Sequence, residues 1–300
     1  MLTFGRGTAL QTRAVIAATV FALTIFSVAG CVGATQHEPI KVTYVANCGF
    51  IVECGNHKIL IDALLAAGES PWYYLPSDSM ATLMTRAEPP FDNVDLIAVT
   101  HAHFDHFDPD VACRHLKQDT GAILVCPSQA EEQMRASPFY EEIKERIHAV
   151  ATPPDSVVDM EISGIRLSVS SGHHSPYYEP DSLTGGTVDR HRNVEHLEFL
   201  ISAGGRTFFH TGDAQLNDFE RYKKLGLGRD SIDLGLIHVW RGGERLSFEQ
   251  KLVHDVIRPK VIILTHLAPG REPEGNPEQQ AGIAREIILP RRLMQTWLFE

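Results

Sequence analysis

The stretch AVTHAHFDHFDP, residues 98–109, packs His101, His103, Asp105 and His106 into six residues directly after the hydrophobic run 94–99. Such a run predicts a buried strand, so the polar cluster falls at a strand end. In a straight strand His101 and His103 share a face. The tight polar turn beyond them lets Asp105 and His106 swing into a neighbouring position. Imidazole and carboxylate donors spaced this way suit a loop that holds two metal ions side by side. After the loop, Asp108 with Pro109 at the first helical position starts a helix that runs to about Lys117.

Upstream, residues 40–45, 50–53 and 58–61 are β-rich runs separated by turns at 47–49 and 55–57, the pattern of a meander. Asp62 closes it. That carboxylate either caps a turn or hydrogen-bonds the metal loop and fixes its ligands. In residues 63–93, Trp72, Tyr73 and Tyr74 lie among Pro and Ser, and the stretch 87–90 is expected to break any helix over 77–86. These aromatics pin a long loop to the core or wall a substrate pocket. Beyond the first helix, 121–126 reads as a strand and 129–135 and 140–147 as helices, an alternation that argues for α/β layers.

The second half repeats the motif of a strand ending in a metal-competent side chain. Strands at 157–162 and 165–170 lead into Ser171-Gly172-His173-His174-Ser175. A polar loop, 176–193, carries Tyr177, Tyr178, Glu179, Arg190, His191 and Arg192, and its length suggests function. Arg190 and Arg192, like Arg241 later, could receive an anionic substrate group, although a solvated surface turn also explains the first two. A hairpin over 195–202 and 207–210 ends in Thr211-Gly212-Asp213, where the glycine permits close backbone approach. Residues 217–224 read as helix, 232–239 as strand and 246–257 as amphipathic helix. Finally the apolar run 261–264 ends in Thr265 and His266.

The N-terminal segment belongs to targeting. Arg6 and Arg13 are its only charges before residue 38, and 14–29 is an apolar run suited to a secretory signal but shorter than the roughly 20 residues of a comfortable span. It ends in Val28-Ala29-Gly30-Cys31, which resembles the lipobox of bacterial lipoproteins. That resemblance implies a lipoprotein signal segment over 1–31 that includes the lipobox Cys31, cleavage before Cys31, acylation of that cysteine with palmitate, a linker over 32–39 and a domain over 40–300. An uncleaved N-terminal anchor is the alternative, and both place the domain outside the cytosol. Val32 at the next position points to the outer membrane, facing the periplasm, in a cell with two membranes. The chain carries 27 basic and 38 acidic residues, a net charge of -11, which disfavours nucleic acid as a partner. Besides Cys31 there are Cys48, Cys54, Cys113 and Cys126, without CxxC spacing, so disulfides and buried thiols both stay open.

Taken together, Asp62, the HxHxDH motif, His174, Asp213 and His266 resemble the metallo-β-lactamase fold superfamily over nearly all of residues 40–290. The segments YVANCGFIVECGNHKILIDAL, SGHHS, FFHTGD and ILTHLAPG are similar to the branch that includes ascorbate-6-phosphate lactonases and N-acylphosphatidylethanolamine phospholipase D enzymes. The resemblance implies a four-layer αββα sandwich of two similar halves, with metals in a cleft at one edge of the paired sheets. His101, His103 and His174 would hold one ion, Asp105, His106 and His266 a second, and Asp213 would bridge them. His174 is chosen over His173 because the family's ligand directly precedes the serine. Zn²⁺ suits these donors, with Mn²⁺ or Fe²⁺ as substitutes. The implied activity is hydrolysis of an ester, lactone or phosphodiester by a metal-bridging hydroxide, with Asp105 orienting the water or passing a proton. His103, where di-iron oxidoreductases of this fold have Glu, favours hydrolysis. The substrate is a small molecule or a lipid, met at the membrane to which the lipid anchor holds the domain. Tyr177 joins the arginines as a substrate candidate, and His210 and His238 are expected to be structural. A non-catalytic, metal-stabilised envelope lipoprotein is the alternative.

Overall fold

The computed structural model describes residues 38–182, 185–227, 231–238, 251–269 and 286–300. Cys31, Arg6, Arg13 and Arg241 lie outside them. The first half supplies β1 (Ile40–Ala46), β2 (Gly49–Cys54), β3 (His57–Ile61), β4 (Leu96–Ala98), β5 (Ile123–Pro127) and β6 (Ile147–Val150). The second supplies β7 (Val157–Ile162), β8 (Ile165–His173), β9 (Tyr178–Pro180), β10 (Thr187–Asp189), β11 (Glu195–Ala203) and β12 (Arg206–His210). It continues with β13 (Leu234–His238), β14 (Val261–Thr265), β15 (Glu286–Ile288) and β16 (Thr296–Phe299). One seven-stranded sheet has the order β16-β1-β2-β3-β4-β5-β6, and a second has β15-β14-β13-β12-β11-β8-β7.

The two sheets share a plan. In the first, β1, β2 and β3 are antiparallel neighbours, and β3 to β6 then run parallel. In the second, β7, β8, β11 and β12 are antiparallel, and β12 to β15 run parallel. The central parallel strands are apolar on both faces, as strands covered on both sides must be, whereas outermost β7 alternates exposed and half-buried positions.

Three apolar clusters correspond to the three interfaces of a four-layer αββα sandwich. Between the sheets, Val42, Phe50, Ile59 and Leu96 meet Leu167, Phe199, Phe208 and Leu236. Outside the first sheet, Ile51, Leu60, Ile97 and Leu124 pack on helices α1 (Asp78–Arg86), α2 (Pro109–Gln118), α3 (Ser128–Met134) and α4 (Tyr140–Ile143), through Met84, Leu116, Met134 and Ile143. Outside the second, Phe209, Ile237 and Ile262 pack on Tyr222 of α5 (Phe219–Leu225) and on Val253, Val256 and Ile257 of a π-helical turn. Each such side chain withdrawn from water contributes about 1.5–3 kcal/mol.

Several expectations need correction. A helix does form at 78–86: Ser77 caps it by accepting from Met80 N, and residues 87–90 follow it rather than break it. The helix expected over 140–147 stops at Ile143, because Ile147–Val150 pair in parallel with β5. The loop 176–193 contains the β9–β10 hairpin. The aromatics of 72–74 divide: Tyr74 packs on the inter-sheet core, whereas Trp72 is exposed. Cys48, Cys54, Cys113 and Cys126 are free buried thiols. No helix among the described residues is long and apolar enough to cross a membrane.

Candidate metal centre

The C-terminal ends of parallel strands from both halves face one cleft. Asp62 follows β3, Thr100 and His101 follow β4, Asp213 follows β12 and His266 follows β14. Ligands bind at such strand ends because loops there project side chains into a shared crevice. Within the HAHFDH loop, the backbone N–H groups of His106 and Phe107 both donate to His103 O, which turns the chain tightly. Asp108 then caps α2 by accepting from Val111 N.

Three histidines form the first pocket. The rings of His101, His103 and His174 lie 4.6, 4.7 and 4.8 Å apart, pair by pair. His174 Nδ1 is 2.8 Å from Ser175 O and donates to it, leaving Nε2 a bare lone pair that faces His101 Nε2 at 3.3 Å. Thr100 Oγ1 gives its proton to Asp62 and so accepts from His101 Nδ1 at 3.0 Å, which leaves lone pairs on both facing nitrogens, and these repel. A tetrahedral ion with Zn–N bonds of about 2.05 Å sets its nitrogen ligands about 3.3 Å apart, so the donors already occupy an edge of the coordination polyhedron. Burial pushes the His174 imidazole down to about 4 and holds His101 well below the usual histidine range, so both stay neutral and ligand-ready.

A second pocket mixes charges. His106 Nε2 lies 3.3 Å from Asp213 Oδ1 and 3.7 Å from Asp105 Oδ2, and His266 Nε2 lies 3.2 Å from Asp213 Oδ2 and 3.6 Å from Asp105 Oδ2. Asp213 Oδ2 also lies 3.7 Å from His174 Nε2, so this one oxygen faces both pockets. Burial works against charge at His106 and His266, yet the adjacent carboxylates, Asp213 foremost, raise both imidazoles well above the usual range. Burial likewise opposes ionisation of Asp213, but His266 and His106 hold it well below the carboxylate range. Buried carboxylates demand positive charge, and without a metal ion protons on these histidines supply it.

Asp62 anchors the assembly from beneath. Its carboxylate accepts from Thr100 N (2.8 Å), Thr100 Oγ1 (2.7 Å), His106 Nδ1 (2.8 Å) and His210 Nε2 (3.1 Å). Gly212 allows Asp213 its place: at φ 49°, a Cβ on it would sit 2.7 Å from Thr100 Cβ. His173, by contrast, is exposed on β8.

Residues that sequence reasoning did not place complete the lining. Asn47 Nδ2 donates to Asp105 O and Oδ2, both at 3.0 Å, and His196 Nε2 accepts from Asp213 N at 3.0 Å. The His191 ring stands 4.2 Å from that of His174 and 4.9 Å from that of His103. Asn47 read only as a turn residue, and no strand-end pattern marks His191 or His196. At the mouth, Tyr73 contacts the rings of Phe104 and His266 at 5.7 and 5.3 Å, and Tyr177 contacts that of His191 at 5.5 Å. Arg190 is exposed and paired with Glu179 at 2.9 Å, and Arg192 is exposed.

Residues 57–267 match the family model described as a beta-lactamase superfamily domain. The chain belongs to the beta-lactamase superfamily. Among superfamily relatives, it is 25% identical to the UPF0173 protein YddR of Bacillus subtilis, over 84% of this chain and 97% of that protein. It is also 25% identical to a UPF0173 metal-dependent hydrolase of Thermodesulfovibrio yellowstonii, over 75% of this chain and 78% of the relative. A solved structure of a possible metal-dependent hydrolase from Veillonella parvula aligns with TM-score 0.57 and 17% identity, covering 86% of this chain and 98% of the other. At that identity the alignment supports the superfamily fold alone.

Proposed function

We propose that this chain is a metal-dependent hydrolase that acts at the cell envelope on an ester, lactone or phosphodiester with an apolar remainder. The observation that carries the reading is the placement of Asp213 Oδ2 between a neutral three-histidine pocket and a second pocket of two histidines and Asp105. His101, His103 and His174 would hold one divalent cation and Asp105, His106 and His266 another, with Asp213 shared. Zn²⁺ fits this all-N,O donor set, and Mn²⁺ or Fe²⁺ would substitute. Bound there, such ions supply Lewis acidity and a water that ionises near neutral pH.

The chain's own groups do the rest. Asp105 is held below the usual carboxylate range: burial opposes this, but His106 and His266 outweigh it. It is therefore a proton acceptor at neutral pH, fixed by Asn47 Nδ2. Exposed Phe104 and Tyr177 at the mouth favour an amphiphilic substrate over a small sugar phosphate. A lipid tether at Cys31, argued from sequence, would hold that mouth near a bilayer.

The test is hydrolysis of phosphodiester, lactone and acyl-ester substrates by the full chain, with and without chelator. Turnover lost on chelation, restored by Zn²⁺ or Mn²⁺ and absent in Asp213→Ala supports the proposal. Equal inactivity of both proteins on every substrate would favour the non-catalytic, metal-stabilised lipoprotein. Unchanged gel mobility of a Cys31→Ser variant relative to wild type would remove the tether.

A further inference from the structure

We propose that Cys48 is an additional donor at the second position, placing a thiolate beside His106 and Asp213 on the same divalent cation. The inference rests on the metal-centre reading above and adds to it a ligand from the β1–β2 turn. Asn47 and Cys48 form that turn, Gly49 opens β2, and all three are buried. Gly49 lies hard against the strand end that carries the anchoring carboxylate, since a Cβ on it would sit 2.5 Å from Asp62 O. From this position Cys48 Sγ reaches 3.9 Å from Asp213 Oδ1 and 3.4 Å from Thr265 Oγ1.

The donor atoms of Cys48, His106 and Asp213 all lie within 4.8 Å of one another. Bonds of about 2.3 Å from Zn to S and about 2.0 Å to O, at the roughly 90–120° angles of four- or five-coordinate ions, set sulfur and oxygen about 3.0–3.7 Å apart. The sulfur therefore needs to move only a few tenths of an ångström, while His106 Nε2 and Asp213 Oδ1, at 3.3 Å, already span a second edge. On the same turn, Asn47 Oδ1 is buried with no hydrogen-bond partner among the described residues, so the turn meets the cleft with an unmet acceptor beside the sulfur. Of the other described thiols, Cys54 is engaged with Ala203 O and Cys113 with Met134 O, and Cys126 is buried in β5. Coordination would release the Cys48 thiol proton to solvent and bias the second position toward Zn²⁺, Co²⁺ or Cd²⁺ over Mn²⁺, because thiolate is the softest donor in reach.

Co²⁺ loaded into the full chain reads this directly. Wild type is expected to show a near-ultraviolet thiolate-to-cobalt charge-transfer band that Cys48→Ser and Cys48→Ala both lack and Cys113→Ser keeps. Zn²⁺ affinity of the Cys48 variants should fall on the order of tenfold or more, with Mn²⁺ affinity little changed. Wild type that binds Co²⁺, as judged by visible d–d absorption, without the charge-transfer band would overturn the proposal and leave the histidine and aspartate centre standing. A band that persists in both Cys48 variants would do the same. A folded wild type that takes up no Co²⁺ would overturn both.

Discussion

Replacing Asp62 by Asn changes almost no volume but reverses the hydrogen-bond logic beneath the cleft. The carboxylate receives four donors, two from Thr100 and one each from His106 and His210, and is fully buried. If the introduced amide keeps its oxygen toward Thr100 N, its NH₂ faces His106 Nδ1, which must then accept. That moves the ring proton to Nε2, the atom that faces Asp213, and a protonated Nε2 cannot ligate. If the amide flips, NH₂ meets Thr100 N–H and a buried donor goes unmatched, at about 1–3 kcal/mol. Loss of a partner that orients a ligating histidine typically lowers metal affinity 10–100-fold, or about 1.4–2.8 kcal/mol. Removal of the buried charge should also lower stability by about 3 kcal/mol. Competition with a chelating dye measures the first effect and urea unfolding the second. An Asp62→Asn protein that binds Zn²⁺ within about twofold of wild type, with native circular dichroism, would refute the tautomer argument.

Three further outcomes are expected. Gly212→Ala should lose about 2–4 kcal/mol in urea unfolding, since its φ of 49° and a Cβ 2.7 Å from Thr100 Cβ combine strain with overlap. His238 is fully buried, and burial pushes its pKa down to about 3, so the folded protein keeps it neutral while the unfolded chain protonates it below about pH 6.5. Its contribution is therefore complete above that pH and lost as pH falls toward 3; at pH 5 the loss is about 2 kcal/mol, and His238→Gln should flatten the pH dependence of urea stability by that amount. Phe104, 63% exposed at the mouth, should matter to substrate and not to fold: Phe104→Ala should raise KM for long-chain esters over short-chain ones while stability shifts by no more than about 0.5 kcal/mol.

Much of this architecture was legible in the chain because two periodicities coincide. Runs such as 96–99 and 261–264 are apolar without alternation, as strands covered on both faces are, and each stops abruptly at Thr-His. A ligand at a strand end announces itself by that break. Ligands and supports that lack the break were invisible: His191 sits in the polar turn between β10 and β11, and His196 lies within β11, where its side chain reads as one more buried position. Cys48 was ambiguous for another reason, since a thiol's partners depend on contacts 165 and 217 residues away. The helix at 78–86 was masked by the prolines after it, although its Ser77 cap was there to be read.

Backbone conformation explains why particular residue types stand where they do. Asn47, Asp62 and His266 each follow a strand directly, and each has positive φ, at 44°, 46° and 60°. A left-handed residue ends pairing by turning the chain sharply, which brings the side chain out over the strand end instead of through a sheet face. For most residues that conformation costs about 1 kcal/mol or more, and glycine, which escapes the cost, brings no donor atom. Asn, Asp and His are the non-glycine residues that enter this region most readily. They are also the types that can hold a carboxylate in place, anchor a ligating imidazole or bind an ion. Backbone and chemistry thus select the same three residues at these three strand ends, which is why the turns that shape the cleft also furnish its polar groups.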